Sequence, residues 1–417
     1  WQAAPPGLAR FEAVTGLLYA GLSLIGMAHH IPAATGALAS ACTRDIDADG
    51  AIPGRNPEEL LEIFTLLSWA VQALSDAGKE APPALNAAIA RTAPVLRSLR
   101  HTDGGLARFH GGGRGMEGRL DHALAITGNT ATARQRRAMG YARLDGGRTS
   151  VIVDAAQPPG GTASTRAHAS ALAFELTSNR RALVVNCGSG LSFGPEWEKA
   201  GRATLSHSTL SIDGFSSARF ARVARPDEGA PPLLDGPRSV TCHISHERYA
   251  TAVLLSHDGY VPTHGLTHIR NLDLSVDGRA LLGEDTLAAL DPAHRRRFDQ
   301  VLTANKLQGI PYALRFHLHP EADASLDMNG AAVSVALPSG EIWVFRFDGP
   351  GKLSLEPSVY LESGRMAPRA CRQIVIRALI LDHTSQINWT LAKAQDTPLA
   401  IRDIGRDDDP AFPRDLF

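Results

Sequence analysis

The feature that most constrains this chain is a change of hydrophobic period about a third of the way along it. Up to about residue 125, apolar residues recur as they do in helices; from about Met139 they gather in short β-branched runs closed by turn residues. At 417 residues the chain is also longer than one ordinary core supports. Together these facts predict an α+β protein, with a toroid-like α-helical domain over 1–125 and a large antiparallel β-sandwich domain over 126–417.

Three helices are expected in the first part. Phe11 to His29 is rich in Leu, Ala and Gly, with apolar residues on most faces. Arg55-Asn56-Pro57-Glu58-Glu59 opens the clearest helix: Asn56 can cap it, Pro57 suits its first position and Glu59 can complete a capping box. The third runs from Ala84 to about Arg100, and Pro94 should kink or split it. The glycine-rich stretch Asp103 to Gly115 follows; it has no Walker spacing and no preceding strand. It reads as an irregular active-site loop or an interdomain linker. His110 inside it has no packing reason in its flanks.

Strands are expected at Thr149–Asp154, Arg181–Asn186, Thr209–Gly214, Ala250–Leu255, Ala313–Leu318, Glu341–Phe347 and Gln373–Leu381. The tail after Asp403 should be loosely packed. His317 and His319 share one strand face by period two, and a structural role is the preferred reading.

Charge narrows the partners. Lys and Arg number 42 against 43 Asp and Glu, which gives no support for nucleic-acid or membrane-surface binding and still permits a local basic cleft. Gly16 to Met27 is too short and too glycine-interrupted for a membrane span. Cys42, Cys187, Cys242 and Cys371 form no CxxC pair and read as reduced buried thiols, with a disulfide between two of them as the alternative. No signal peptide is visible, which is compatible with a cytoplasmic location.

Two segments carry the chemical signal. Arg166-Ala167-His168-Ala169-Ser170 leads into a strand that ends at Asn186-Cys187-Gly188, and Leu205-Ser206-His207-Ser208-Thr209 flows into a second one. The chain here resembles heparinase II/III-like polysaccharide lyases. These carry an HxHxD-type segment running into a strand, a metal-binding Asp near that strand's end, and a His before a small-residue and Thr pair. His168 falls at the second His of the first motif and His207 at the later one. The Asn56–Leu61 helix, the 103–115 loop and Thr384–Thr390 resemble such proteins too.

The resemblance implies a periplasmic location, further helices before the first one seen here, and β-elimination on an acidic, uronate-containing polysaccharide. That reaction needs the uronate carboxylate neutralised, a base for the C5 proton and an acid for the leaving oxygen. His207, Arg166, His110 and Tyr141 are the catalytic candidates, with Tyr260 and Tyr312 as other phenols; Arg55, Asn56, Arg108 and Arg114 are candidates for binding substrate. A divalent metal, zinc, would sit on His168, Asn186 and His207. The departures are specific. Arg166 stands where the lyases have their acid/base His, Ser170 replaces the motif Asp, and Asn186 replaces the metal carboxylate, a poorer set than His₂Asp. Those replacements motivate the alternative of a non-catalytic glycan-binding or envelope-assembly protein that keeps the fold. A hydrolase using Glu175 or Asp213 has no spacing argument behind it.

Overall fold

The computed structural model describes residues 1–128, 136–221 and 230–394. The tail after Asp403 lies outside them.

Helices come first: α1 (Leu8–Ser23), α2 (Ile31–Asp45), α3 (Pro57–Asp76), α4 (Pro83–Ser98) and α5 (Arg119–Ile126). Helix α1 ends at Ser23 rather than near His29, and α2 follows as a separate helix that periodicity alone did not isolate. Helix α3 is central and touches α1, α4 and α5, which is why apolar residues occupy most of its faces. Asn56 caps it, its Oδ1 accepting from the Glu58 and Glu59 amides at 3.0 and 3.2 Å. The expected capping box does not close, because Glu59 instead accepts the Leu8 amide at 3.4 Å. Helix α4 runs unsplit through Pro94.

The remainder is antiparallel. A nine-stranded sheet runs in the order Arg137–Ala138, Tyr141–Gly146, Thr149–Asp154, Phe174–Ser178, Arg181–Val185, Ile310–Leu318, Arg369–Ile380, Lys352–Tyr360, and Leu210–Ile212 pairs with Ile310–Leu318. An eight-stranded sheet faces it, and its centre is Ile342–Asp348, Thr384–Lys393, Ala280–Ala288 and Leu266–Ser275. Alternation along Ile310–Leu318 explains the layering: Tyr312, Leu314, Phe316 and Leu318 enter the core between the sheets, and Arg315 and His317 face the other way. Phe174 stacks on Trp389 across that core, with ring centroids 5.8 Å apart.

The helical core does not end at the last helix. Tyr141, Ile152 and Ala173, all from the first sheet and its loops, belong to the cluster built on Phe11, Phe64 and Leu96. The outer face of the nine-stranded sheet is thus the floor of the helical half. All four cysteines are free; Cys42 and Cys187 are buried as expected, but Cys242 and Cys371 are only half-buried.

Candidate functional site at the seam between helices and sheet

Arg55 begins the site. It sits just before α3 with φ of 49°, a left-handed conformation uncommon for a residue with a side chain. Its guanidinium crosses to the sheet half and donates to the carbonyls of Met139 (3.1 Å), Gly140 (2.9 Å) and Gln157 (2.6 Å) and to Asp154 Oδ1 (2.5 Å). Tyr141 lies under that guanidinium at 4.7 Å and donates its hydroxyl to the Arg55 carbonyl at 2.5 Å. Arg55 and Tyr141 therefore clasp the two halves together, and neither presents a free polar group to a substrate.

Asp154 is the residue that sequence reasoning passed over, although it ends one of the predicted strands. It is fully buried, accepts from Ser170 Oγ at 2.7 Å, and has His110 Nε2 at 3.5 Å. Burial raises its carboxyl above the usual range and Arg55 opposes that. Ser170, which stands where the motif has Asp, thus serves as a donor to Asp154.

His110 is also left-handed, at φ 48°, and its Nδ1 accepts the His168 amide at 3.1 Å. That bond fixes the proton on Nε2, toward Asp154. The loop around it is pinned to the start of α3: Gly113 donates its amide to Glu58 at 2.6 Å, and a Cβ on Gly112 would lie 2.3 Å from Asn56 Oδ1.

His168 and His207 meet. His168 Nδ1 is 3.0 Å from His207 Nε2, and His207 Nδ1 is 2.8 Å from the Ala203 carbonyl. A carbonyl only accepts, so His207 carries its proton on Nδ1 and His168 donates to its Nε2. Their loops are stapled by α6 (Pro195–Arg202), whose Arg202 donates to the carbonyls of Ala167 and Ser164, both at 2.9 Å, and by Thr204, which donates to Ala169 at 2.8 Å. From the second sheet, Arg270 pairs with Asp285 at 2.7 Å and donates to the Leu172 and Ser208 carbonyls at 2.7 and 3.0 Å, bracing both loops from beneath. Burial holds His207 down to about 4 and His168 and His110 well below the ordinary imidazole value, so all three are neutral near pH 7.

The other nominated residues divide plainly. Arg166 is exposed beside His168. Gly111 lies between Arg166 and Asn56: a Cβ there would be 3.9 Å from the Arg166 carbonyl and 4.0 Å from Asn56 Nδ2. Arg108 is buried; it donates to the Leu361 carbonyl at 2.5 Å and lies over the Tyr360 ring at 3.9 Å, away from Arg166. Arg114 pairs with Asp103 at 3.4 Å. Tyr260 donates to the Leu210 carbonyl at 3.0 Å and Tyr312 is 2.7 Å from Ser385 Oγ. His317 is held between Ser358 Oγ at 2.7 Å and the Leu205 carbonyl at 3.0 Å. Glu175, one of the hydrolase candidates, accepts the Arg108 amide at 2.9 Å inside the protein.

The zinc set is incomplete in geometry as well as in composition. Asn186 Oδ1 accepts the Ser208 amide at 2.9 Å and its Nδ2 donates to Glu175 at 3.3 Å, so the amide oxygen already has a partner. Among the described residues no group of three or more His, Cys, Asp and Glu side chains is arranged to hold a metal ion. His168 and His207 supply two nitrogens where a structural zinc takes four ligands.

Helices packed on the outer face of a two-sheet antiparallel stack, with paired imidazoles at their seam, define the class: the fold is that of heparinase III. A crystal structure of heparinase III superposes with a TM-score of 0.70 at 13% identity, covering 93% of this chain and 61% of that one. The heparan sulfate lyase HepC from Pedobacter heparinus gives 0.64 at 13% identity, over 94% and 61%. Residues 129–390 match the family model described as heparinase II/III-like, C-terminal, and the chain belongs to that family. A curated relative, FtsZ-localized protein C of Caulobacter vibrioides (strain NA1000 / CB15N), is 32% identical over 376 residues, 88% of this chain and 62% of that protein. The chain thus spans about three-fifths of the length of each of these proteins. No helix among the described residues is long and apolar enough to cross a membrane.

Proposed function

We propose that this chain binds an anionic glycan on a lyase scaffold without cleaving it. The observation that carries the reading is the state of the catalytic-type groups. The Tyr141 hydroxyl, the Arg108 guanidinium and the ring nitrogens joining His168 to His207 are buried and bonded within the protein, the half-buried Arg55 guanidinium is bonded too, and of the nominated residues Arg166 is the exposed one. His110, His168 and His207 are only 1%, 3% and 1% exposed, too enclosed to reach a sugar C5 proton in this arrangement. Arg166, with Asn56 behind it, can still receive a carboxylate or sulfate. The relative named for FtsZ localisation is compatible with a role in envelope assembly.

A second reading keeps the chemistry, and the tautomer favours it: with its proton on Nδ1, His168 leaves Nε2 unprotonated. His168 Nε2 would take the C5 proton while Arg166 neutralises the uronate. The electron pair would form the C4–C5 double bond, the C4–O bond would break, and the same imidazolium would return the proton to the leaving oxygen. Incubation with heparan sulfate, hyaluronan, alginate and polygalacturonate, read by absorbance of the unsaturated uronate, separates the two. Binding without product supports the first reading; product that disappears in His168→Ala overturns it.

A further inference from the structure

Arg315 stands apart from the other deeply buried arginines. Arg270 has Asp285, Arg55 has Asp154, and Arg108 and Arg202 are wrapped by carbonyls. Arg315 is 8% exposed, and its side chain makes one hydrogen bond, from Nη1 to the neutral Ser211 hydroxyl at 2.7 Å. No ion pair joins it to a described carboxylate; Asp213 and Glu356 act on it only from farther off. Among the described residues its Nε and Nη2 make no hydrogen bond and are not sealed from solvent, so the guanidinium fork stays open to an anion.

It lines a recess of about 180 Å³ on the outer face of the nine-stranded sheet. The walls are mixed: Pro311, Ala313 and Ala378 are apolar, whereas Arg377 and Asp213 are charged. Arg377 is already held by Glu356 through two bonds, at 3.1 and 2.9 Å, so it adds little free positive charge. Asp213 is exposed, where water screens its charge. The recess lies on the strand that follows His207; Ser211 is four residues on, roughly 13 Å at the rise of a strand. It is therefore separate from the imidazole pair and on the same side of the sheet as the helices.

We propose that this recess is a second binding subsite, for a singly charged acidic sugar of the uronate type. Arg315 receives the carboxylate, Asp213 accepts a ring hydroxyl, and the apolar wall carries a face of the ring. A monoanion bearing hydroxyls suits a site that pairs a buried cation with a nearby carboxylate; a dianion such as phosphate is repelled by Asp213. The proposal rests on the glycan-binding reading above and extends it to a place no seam residue reaches.

The test is titration of the chain with sodium glucuronate, glucose and inorganic phosphate, followed by calorimetry or NMR. Glucuronate should bind, with glucose and phosphate each at least about tenfold weaker, since one fork-to-carboxylate contact supplies that discrimination. Arg315→Met should lower glucuronate affinity at least about tenfold, and Arg248→Ala, an exposed arginine remote from both sites, should leave it unchanged. If Arg315→Met does not fold by circular dichroism, Arg315→Lys keeps the charge and loses the fork, and should still weaken binding several-fold. Equal affinity in the folded Arg315 variant, or phosphate binding as tightly as glucuronate, overturns the assignment. Loss of glucuronate binding in Arg166→Ala with Arg315→Met unaffected would keep the glycan reading and overturn only this subsite.

Discussion

Arg55 and Asp154 join the two halves of the molecule: a guanidinium at the mouth of α3 reaches a fully buried carboxylate at the end of a sheet strand at 2.5 Å. Around that contact the Tyr141 hydroxyl, the Ser170 hydroxyl and the His110 ring are arranged. In a catalytic frame these are the residue types of a lyase; here they read as a polar clasp.

That clasp sets the first prediction. Arg55→Met leaves the buried Asp154 without its cation, and should cost about 3–5 kcal/mol in chemical denaturation. A loss below about 1 kcal/mol, within the range of exposed pairs, would show that the contact does not hold the halves together.

Acid should unfold the protein through its histidines. His207 has a folded value of about 4 against an ordinary 6.5, and burial depresses His110, His168 and His257 in the same direction. A depressed imidazole binds its proton in the unfolded chain first. The stabilising contribution is therefore whole above about pH 6.5 and is lost as pH falls toward 4. His207 alone accounts for about 3 kcal/mol of that loss. The raised Asp154 carboxyl works in the opposite sense, but only as it takes up its own proton. Urea denaturation between pH 7 and 4.5 should show a steep decline that His207→Gln makes shallower; a flat profile would contradict the buried neutral imidazoles.

Metal content is the third outcome to measure. Protein purified without chelators should carry zinc well below one ion per chain, because Asn186 is engaged by Ser208. Asn186→Asp rebuilds a His₂Asp set but puts a second carboxylate beside Glu175, which now sits 3.3 Å from the Asn186 side chain. That variant should be less stable without metal, and added zinc should raise its melting temperature. Stoichiometric zinc in the unmodified chain would overturn the geometric argument.

Gly112→Ala probes the loop. The new Cβ would meet Asn56 Oδ1 at 2.3 Å and displace the cap of α3, at a cost of about 1–2 kcal/mol. Alanine at Gly36, where nothing lies within 4 Å, is the control and should be neutral or mildly stabilising. Equal melting temperatures for the two variants would argue that the cap is not coupled to the loop.

Much of the architecture was legible because it rests on local chemistry. The period switch, the Asn56-Pro57 start of α3 and the β-branched runs each dictate an element, and each appears: Thr149–Asp154 forms residue for residue, and Ala313–Leu318 lies inside Ile310–Leu318. Boundaries failed where no local signal forced them. Helix α1 stopped early, at Ser23, and Glu59 found Leu8 from another helix instead of its own cap.

By itself the sequence determined which residue types stand at the motif positions, Arg166, His168, Ser170, Asn186 and His207, and that helices precede sheets. Only the tertiary structure decided which partners such side chains meet, because hydrogen-bond partners and burial are long-range properties. Tyr141 meets Arg55 across 86 positions and Arg108 meets Leu361 across 253. Composition cannot foresee such closures, and they join Arg55, Tyr141 and Asp154 into an internal clasp while leaving Arg315 with a single hydrogen bond, to Ser211.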